Sequence, residues 1–407
     1  MQTKLADFIK DTNQGKEAQK IIEACVHCGF CTATCPTYQL IGDELDSPRG
    51  RIYLIKNVLE GKEVSHKTQQ HLDRCLTCRA CETTCPSGVR YGRLLDIGRE
   101  VVENTVSRSF LDQILRKGLC FVLPYPWRFK ILLKIGQFFS PFLPKALKEQ
   151  IPTQEKDKLR PKANHSRRML ILDGCVQPVL APNINTSTAW VLDQLGISLV
   201  SAPSSGCCGA VNQHLSDPYG ALYFIKKNID AWWPYIEEGI EAIVMTASGC
   251  GVMVKDYGTL LKADPTYARK AAKVAEITKD ISEVIAQEDI TKLTIPPHTP
   301  RNIAFQSPCT LQHGQKLVGV VEKILEKAGF NLTKVANSHL CCGSAGTYSI
   351  LQKEISQNLL KNKLQALEKE HPKLVATANI GCLTHLKSKS SMPVKHWINL
   401  LDPTDEI

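Results

Sequence analysis

The chain has 407 residues, of which 43% are hydrophobic and 22% charged, so it is long enough for two or three ordinary globular domains. Its first twenty residues carry charges throughout, and no apolar run approaches the roughly 20 residues that a membrane-spanning helix needs, so we expect neither a secretory signal nor a membrane span. This predicts a cytoplasmic chain, in which seventeen cysteines favour metal ligation over disulfides. The formal net charge of +10 suggests acidic partners or an anionic membrane surface.

Two matching cysteine motifs stand out in the first hundred residues. "CVHCGFCTATCP" (25–36) and "CLTCRACETTCP" (75–86) both follow C-x2-C-x2-C-x3-C-P, with a constant offset of 50. In two-cluster ferredoxins the fourth cysteine of such a run ligates the other cluster. We therefore predict two [4Fe–4S] clusters. The first cluster site contains Cys25, Cys28, Cys31 and Cys85, and the second cluster site contains Cys75, Cys78, Cys81 and Cys35. Two four-cysteine zinc sites are the alternative, but zinc usually takes two separated C-x2-C pairs.

The segment between these motifs predicts a helix over 46–61, opened by Ser47 and Pro48. Arg49 and Arg51 on this helix either screen the charge of a cluster or are ordinary surface arginines. His27, between two predicted ligands, either tunes a cluster through a hydrogen bond or is a solvated loop residue, which we favour.

Residues 106–168 form a basic, aromatic and proline-containing connector that ends in an exposed linker. Its apolar part either lies on a membrane or partner subunit, or forms two amphipathic helices packed against the protein's own domains. We favour the second interpretation, because prolines at 124, 126, 141 and 144 interrupt any long amphipathic face. Cys120 has no partner pattern and is predicted to be a buried thiol.

A second duplication begins at residue 169. Four cysteines recur with offsets of 134, 134, 134 and 132 residues, and each copy includes a Cys-Cys-Gly (CCG) sequence. The two sets are Cys175, Cys207, Cys208 and Cys250, and Cys309, Cys341, Cys342 and Cys382. Short β-type stretches lead into these cysteines and alternate with helical patterns such as 315–330, which predicts parallel sheets.

Ligands gather beyond the carboxyl ends of parallel strands, so each set of four thiols is expected to converge on one point. A metal or cluster is favoured there over a vicinal disulfide. Another iron–sulfur cluster, zinc and a role only in docking a partner all remain open. The fold class is thus an α+β multidomain protein, in which a helical ferredoxin-like domain precedes two duplicated α/β modules with parallel sheets. The predicted domains are 1–105, the connector 106–168, the first CCG module 169–295 and the second CCG module 296–407.

Several stretches together resemble the family of glycolate oxidase iron–sulfur subunits, over essentially the whole chain. They are "CVHCGFCTATCPTYQL", "CLTCRACETTCPSGVRYG", the two CCG modules, "TASGCG" and "TANIGC". The resemblance implies an electron-transfer subunit of a complex that oxidises glycolate to glyoxylate, peripheral on the inner face of the cell membrane. Its implied partners are FAD-binding glycolate oxidase subunits and a membrane or quinone-linked acceptor, with no nucleic acid. Related iron–sulfur subunits of lactate or glycerol-3-phosphate dehydrogenases are alternatives, as is a catalytic subunit like heterodisulfide reductase.

One departure weakens the last alternative. In heterodisulfide reductases each module ends in C-x-x-C, but here Cys250 and Cys382 lack that following cysteine. His385 occupies the position in the second module, as a substitute ligand or a plain helix histidine. The chain also lacks a G-x-G-x-x-G fingerprint, so a two-electron oxidation needs a flavin on a partner. We therefore predict electron transfer and no catalytic residues in this chain.

Overall fold

The computed structural model describes residues 1–142, 144 and 151–405. The N-terminal part is helical, as predicted. Its helices are α1 Asn13–Ala24, α2 Pro36–Ile41, α3 Pro48–Leu59, α4 His66–Asp73, α5 Ala80–Thr84, α6 Tyr91–Thr105, α7 Phe110–Val122 and α8 Pro126–Phe139. Short 3-10 helices cover Phe30–Thr34, Glu44–Asp46 and Ser140–Phe142. In the described ranges no helix combines the length and hydropathy needed to cross a membrane.

Helix α3 begins where the sequence predicts. The Ser47 hydroxyl accepts a hydrogen bond from the Gly50 N–H, and Pro48 occupies the first helical position, where its missing N–H costs nothing. Ile52, Ile55 and the following apolar positions of the same face are buried against α6 and its neighbours. The helix thereby forms the centre of the N-terminal core.

Helices α7 and α8 form within the connector, but their packing differs from the one we favoured. On the inner side, Leu133 is buried against Val179 and Leu180 of the first module. Most large apolar side chains of both helices are nevertheless exposed, so packing against the protein's own domains covers only one face. Cys120 is half-buried, not fully buried. Part of the connector, residues 143 and 145–150, lies outside the described residues.

Two four-stranded, all-parallel sheets follow, with the same topology. In the first module β1 Arg167–Ile171, β2 Ile197–Ser201, β3 Ile243–Met245 and β4 Thr278–Asp280 are ordered β2-β1-β3-β4. In the second module β5 Asn302–Gln306, β6 Asn331–Leu332, β7 Leu374–Thr377 and β8 Val394–His396 are ordered β6-β5-β7-β8. The predicted fold class, with duplicated parallel modules after a helical domain, is confirmed.

Helices connect these strands. Those of the first module are Gln177–Leu180, Asn183–Gln194, Ala210–His214, Pro218–Glu237, Ser248–Lys255, Tyr257–Leu260, Ala268–Ile277 and Ile281–Ile285, followed by a 3-10 turn at Ile290–Lys292. Those of the second module are Val320–Lys327, Tyr348–Leu351, Lys353–Glu368 and Ile380–Lys387, with a 3-10 turn at Trp397–Leu401. The helix predicted over 315–330 begins only at Val320, because Gly319 has a left-handed φ of 72° and a π-helix, Thr310–Gly314, precedes it.

The two modules share one hydrophobic core. Its buried side chains include Ile184 and Leu192 from the first module and Phe305 and Trp397 from the second. His396 also joins them: its Nε2–H donates to the Thr246 carbonyl at 3.0 Å, and its Nδ1 accepts from the Ile398 N–H at 3.3 Å. The modules therefore pack as one unit across a polar and apolar interface.

Candidate functional site

The two N-terminal cysteine motifs adopt the same local structure. Each runs from the end of a helix through a loop and a short helical turn, which opens at a residue with left-handed backbone, Gly29 (φ 89°) in one copy and Arg79 (φ 59°) in the other. Glycine adopts this conformation without strain, whereas an arginine is strained there. The last cysteine of each motif, Cys35 or Cys85, ends the helical turn in extended backbone.

The residues of the first cluster site come together. Cys25, Cys28, Cys31 and Cys85 line one pocket, together with Cys81, which we assign to the second cluster site. Cys25 is buried, whereas Cys28 is exposed. Burial, with smaller contributions from Cys25 and Cys35, raises the pKa of the Cys31 thiol to about 11. This site therefore lies at the surface of the molecule.

The residues of the second cluster site are also neighbours. Burial raises the pKa of the Cys78 and Cys81 thiols well above its usual range, and both thiols are further affected by Cys75 and Cys35. Thiolates so close together repel one another unless a cation compensates them. A group of four free cysteines, three of them buried and Cys78 half-buried, is thus a donor set that suits an iron–sulfur cluster.

Arg51 contacts the second cluster site through a buried polar network. Its guanidinium donates to the His71 carbonyl at 2.7 Å, the Thr37 hydroxyl at 3.1 Å and an Asp46 carboxylate oxygen at 3.1 Å. The Thr37 hydroxyl in turn lies 3.2 Å from Sγ of Cys35. The side chain of Arg51 is 1% exposed, so the interpretation as a surface arginine is wrong, whereas Arg49 is 32% exposed and His27 is solvated as favoured.

The cysteines of each CCG module also converge beyond the carboxyl ends of the strands. In the second module Sγ of Cys309 lies 3.7 Å from that of Cys341, and Sγ of Cys342 lies 3.2 Å from that of Cys382. The neighbouring Cys341 acts to lower the pKa of the Cys342 thiol, but the contact with Cys382 and burial together raise this pKa well above its usual range.

In the first module the same chain of contacts runs from Cys175 through Cys207 and Cys208 to Cys250. Hydrogen bonds from Cys207 and Cys250 hold the pKa of the Cys208 thiol well below its usual range. Each set of four thiols thus offers a compact, largely buried donor group that suits a metal or cluster.

The second module contains a buried cation beside its thiols. Lys363 is 4% exposed, and its Nζ donates to the carbonyls of Asn337 and Ser338 at 3.1 and 3.3 Å. Burial lowers the pKa of Lys363, whereas Cys342 and the other three thiols act to raise it. His385 is buried, and its Nε2 lies within hydrogen-bond distance, 3.2 Å, of the Ser356 hydroxyl.

The second cluster site lies directly against the second module. Cys78 and Leu76 pack in one apolar cluster with Cys309, Cys341 and Tyr348. The Tyr348 hydroxyl donates to the Arg74 carbonyl at 2.9 Å, which fixes the two regions together. The thiols of the second module are therefore neighbours of the second cluster site.

The sequence did not predict the roles of three residues at these sites. They are the buried Arg51, the buried Lys363 and Tyr348, which joins the second cluster site to the second module. A signal exists for Lys363, which interrupts the apolar face formed by Leu359, Leu360 and Leu364 of its helix. Tyr348 carries no comparable local signal, because its partner is 274 residues distant.

The matching families define an iron–sulfur protein. The "4Fe-4S dicluster domain" matches residues 21–89 and the "Cysteine-rich domain" matches residues 169–255 and 303–387, which confirms the expected two [4Fe–4S] clusters. The chain is 55% identical to the glycolate oxidase iron–sulfur subunit of Escherichia coli, over 99% of this chain and 98% of that one. It therefore belongs to the family of glycolate oxidase iron–sulfur subunits, as its motifs indicate.

More distant relatives match different shares of the chain. A probable glycolate oxidase iron–sulfur subunit of Bacillus subtilis is 30% identical, covering 89% of this chain and 88% of that one. Lactate utilization protein A of Bacillus pumilus is 26% identical, covering 52% of this chain and 87% of that one. A solved structure of a hypothetical protein from Helicobacter pylori has a TM-score of 0.56 at 10% identity, covering 98% of this chain and 75% of that one, and shows the fold alone.

Proposed function

We propose that this chain is the electron-relay subunit of a glycolate-oxidising complex. Electrons from an FAD-bearing partner, which converts glycolate to glyoxylate, are received at the first cluster site, pass to the second cluster site and reach the second CCG module. From there they continue to a membrane or quinone-linked acceptor, with the chain peripheral on the inner face of the membrane. The observation that carries this order is the packing of Cys78 against Cys309 and Cys341.

The exposed side chains around the first cluster site support its role as the point where electrons enter the chain. Cys28 of the first cluster site is exposed, and Val26 and Phe30 beside it are 68% and 63% exposed. Large exposed apolar side chains around a redox site are typical of a docking surface for a partner protein. By contrast, the second cluster site is covered by Tyr348 and its neighbours in the second module. A flavin subunit docked over Phe30 would therefore approach the first cluster site more closely than the second.

The assignment of ligands is part of this proposal. Cys85 lines the same pocket as Cys25, Cys28 and Cys31, and this geometry supports crossed ligation. Each CCG module is proposed to bind a metal or a further iron–sulfur cluster through its four cysteines.

Metal analysis of the full anaerobically purified chain tests these ligands. Two cubane clusters alone predict about eight irons, so additional iron or zinc measures the content of the modules. Cys341→Ser should remove the metal of the second module alone, and Cys207→Ser that of the first. No metal beyond the eight irons would contradict the proposed module sites.

Reduction by substrate tests the relay. The chain is mixed anaerobically with the FAD-bearing subunits of the same complex and with glycolate, and EPR follows reduction of the two N-terminal clusters. We expect reduction only when both the flavin subunits and glycolate are present. Turnover of glycolate, or reduction of a disulfide, by this chain alone would contradict a pure relay and favour a catalytic subunit.

Lactate is a second candidate substrate, because the lactate utilization relatives share half of this chain. Substrate choice would reside in the flavin partner, so the purified complex is assayed with glycolate and with lactate under identical conditions. Faster cluster reduction by lactate would favour the alternative.

A further inference from the structure

The outer face of helices α7 and α8 is unusually apolar for a protein surface. Twelve of the twenty-three large apolar side chains that are exposed in the described part of the chain lie between residues 110 and 142. Exposed apolar surface on this scale marks an interaction site.

In α7 the exposed apolar residues form one continuous stripe. At 100° per residue, Phe110, Leu111, Ile114, Leu115 and Phe121 occupy an arc of about 140°. The exposed Lys117 lies at one edge of this arc. The helix is therefore amphipathic, with its apolar side directed away from the protein.

Helix α8 repeats this arrangement. Trp127, Ile131, Ile135, Phe138 and their neighbours Leu132 and Phe139 also cover an arc of about 140°, and all are at least 50% exposed. Lys130 and Lys134 are exposed at one edge of the arc. On the opposite side, Leu133 holds the helix against the first module. The packing of Leu133 thus fixes the helix to the first module, and the apolar stripe faces away from the protein.

The charged groups around this face favour an anionic lipid surface. The guanidinium of Arg128 lies 4.0 Å from the ring centroids of both Phe121 and Tyr125, so its charge is held against aromatic rings. The single acidic residue of the two helices, Asp112, is paired with Arg108 and Arg116. Lysine is depleted at protein–protein interfaces, whereas lysines with Trp and Tyr beside an apolar face are typical of helices that lie in a membrane interface.

We propose that α7 and α8 lie flat on an anionic bilayer, with their apolar stripes among the acyl chains and Lys117, Lys130 and Lys134 at the phosphate groups. Helices of 13 and 14 residues are too short to span the bilayer, which requires about 20 residues. This inference rests on the proposed function, since it names the element by which the relay meets its membrane.

Flotation with vesicles tests the proposal. The full chain, with its clusters, is mixed with vesicles of phosphatidylcholine or of equal parts phosphatidylcholine and phosphatidylglycerol. We expect binding to the anionic vesicles that weakens as salt is raised. The triple variant Phe121→Ser, Ile131→Ser, Phe138→Ser should lose at least tenfold in affinity. Neutralising Lys117, Lys130 and Lys134 to Gln should lose about fivefold per lysine on anionic vesicles.

The control variant Tyr219→Ser, Val318→Ser removes exposed apolar side chains elsewhere and should bind as the wild type does. Absence of binding by the wild type, or equal binding by the apolar triple variant, would overturn the proposal. The proposal would also be overturned if the triple variant lost a co-purified protein subunit while its binding to vesicles was unchanged. The face would then be a protein interface. Reduction of the clusters by glycolate is measured without vesicles, so failure of the relay is distinguishable from failure of membrane docking.

Discussion

Replacing Arg51 with Met is expected to weaken the N-terminal domain and to lower the reduction potential of the second cluster. The variant keeps most of the side-chain volume but removes three buried hydrogen bonds, one of them to the carboxylate of Asp46, which is fully buried. Removing one partner of a buried ion pair lowers the free energy of unfolding by about 3–5 kcal/mol. Because Arg74 still donates to Asp46 at 2.8 Å, we expect the lower end, about 3 kcal/mol.

The effect on the potential follows from the distance of the charge. Hydrogen bonds of 3.1 and 3.2 Å in series connect Arg51 to Thr37 and Thr37 to Sγ of Cys35. A unit charge within about 6 Å of the sulfur contributes about 2–3 kcal/mol at an effective dielectric constant of about 20. The negative charge of Asp46 partly cancels this contribution. We therefore expect the reduction potential of the second cluster to fall by on the order of 50–100 mV for a one-electron couple. The potential falls because the variant lacks the nearby cation that stabilises the reduced, more negative state of the cluster.

Anaerobic urea titration, followed by the visible absorbance of the clusters, measures the stability, and EPR-monitored redox titration measures the potential. Arg51→Lys retains the charge and should keep most of the potential while losing stability. Arg49→Met, on the same helix but partly exposed, should cost under about 1 kcal/mol. An unchanged second-cluster potential in Arg51→Met would refute the electrostatic argument, and unchanged stability would refute the role of the network.

Three further changes have defined outcomes. Cys35→Ser should alter the EPR signal of the second cluster; loss of the first cluster's signal with the second intact would contradict crossed ligation. Lys363→Met should weaken metal retention in the second module alone, because it removes the cation beside the four thiols of that module. Lys361, exposed on the same helix, provides the control variant Lys361→Met. Equal losses of metal from both modules would contradict this local effect. Burial lowers the pKa of His396 to about 4, so the unfolded chain binds its proton first on acidification. Stability should therefore fall by about 3 kcal/mol from pH 6.5 to 4, and less in His396→Gln; equal slopes would argue against it.

Local patterns predicted much of this structure. The cap at Ser47 and the apolar period of α3 are properties of neighbouring residues, and the sequence shows both directly. The same holds for the strands that lead into cysteines, because β-type stretches and turn residues adjoin them. The cysteine spacing predicted that thiols distant in the sequence lie close together, since duplication repeats the spacing together with the fold. Which thiols ligate a common cluster stays a prediction.

Other features depend on contacts between distant segments. Arg51 is buried because Asp46, Thr37 and the His71 carbonyl from three separate elements surround it, and its own sequence context reads as a surface arginine. The late start of the helix at Val320 depends on the preceding π-helix, which the apolar period of 315–330 does not reveal. The outward orientation of α7 and α8 was missed because periodicity defines an apolar face without specifying what covers it.

The common core of the duplicated modules has a consequence for how the gene tolerates truncation. Phe305 and Trp397 of one copy fill the same interior as Ile184 and Leu192 of the other. A fragment that ends after the first copy would expose to water the apolar side chains that the second copy covers, so we expect it to be less stable than the same segment in the full chain. Each copy thus covers part of the other's apolar interior, and we expect a truncation in either copy to destabilise both.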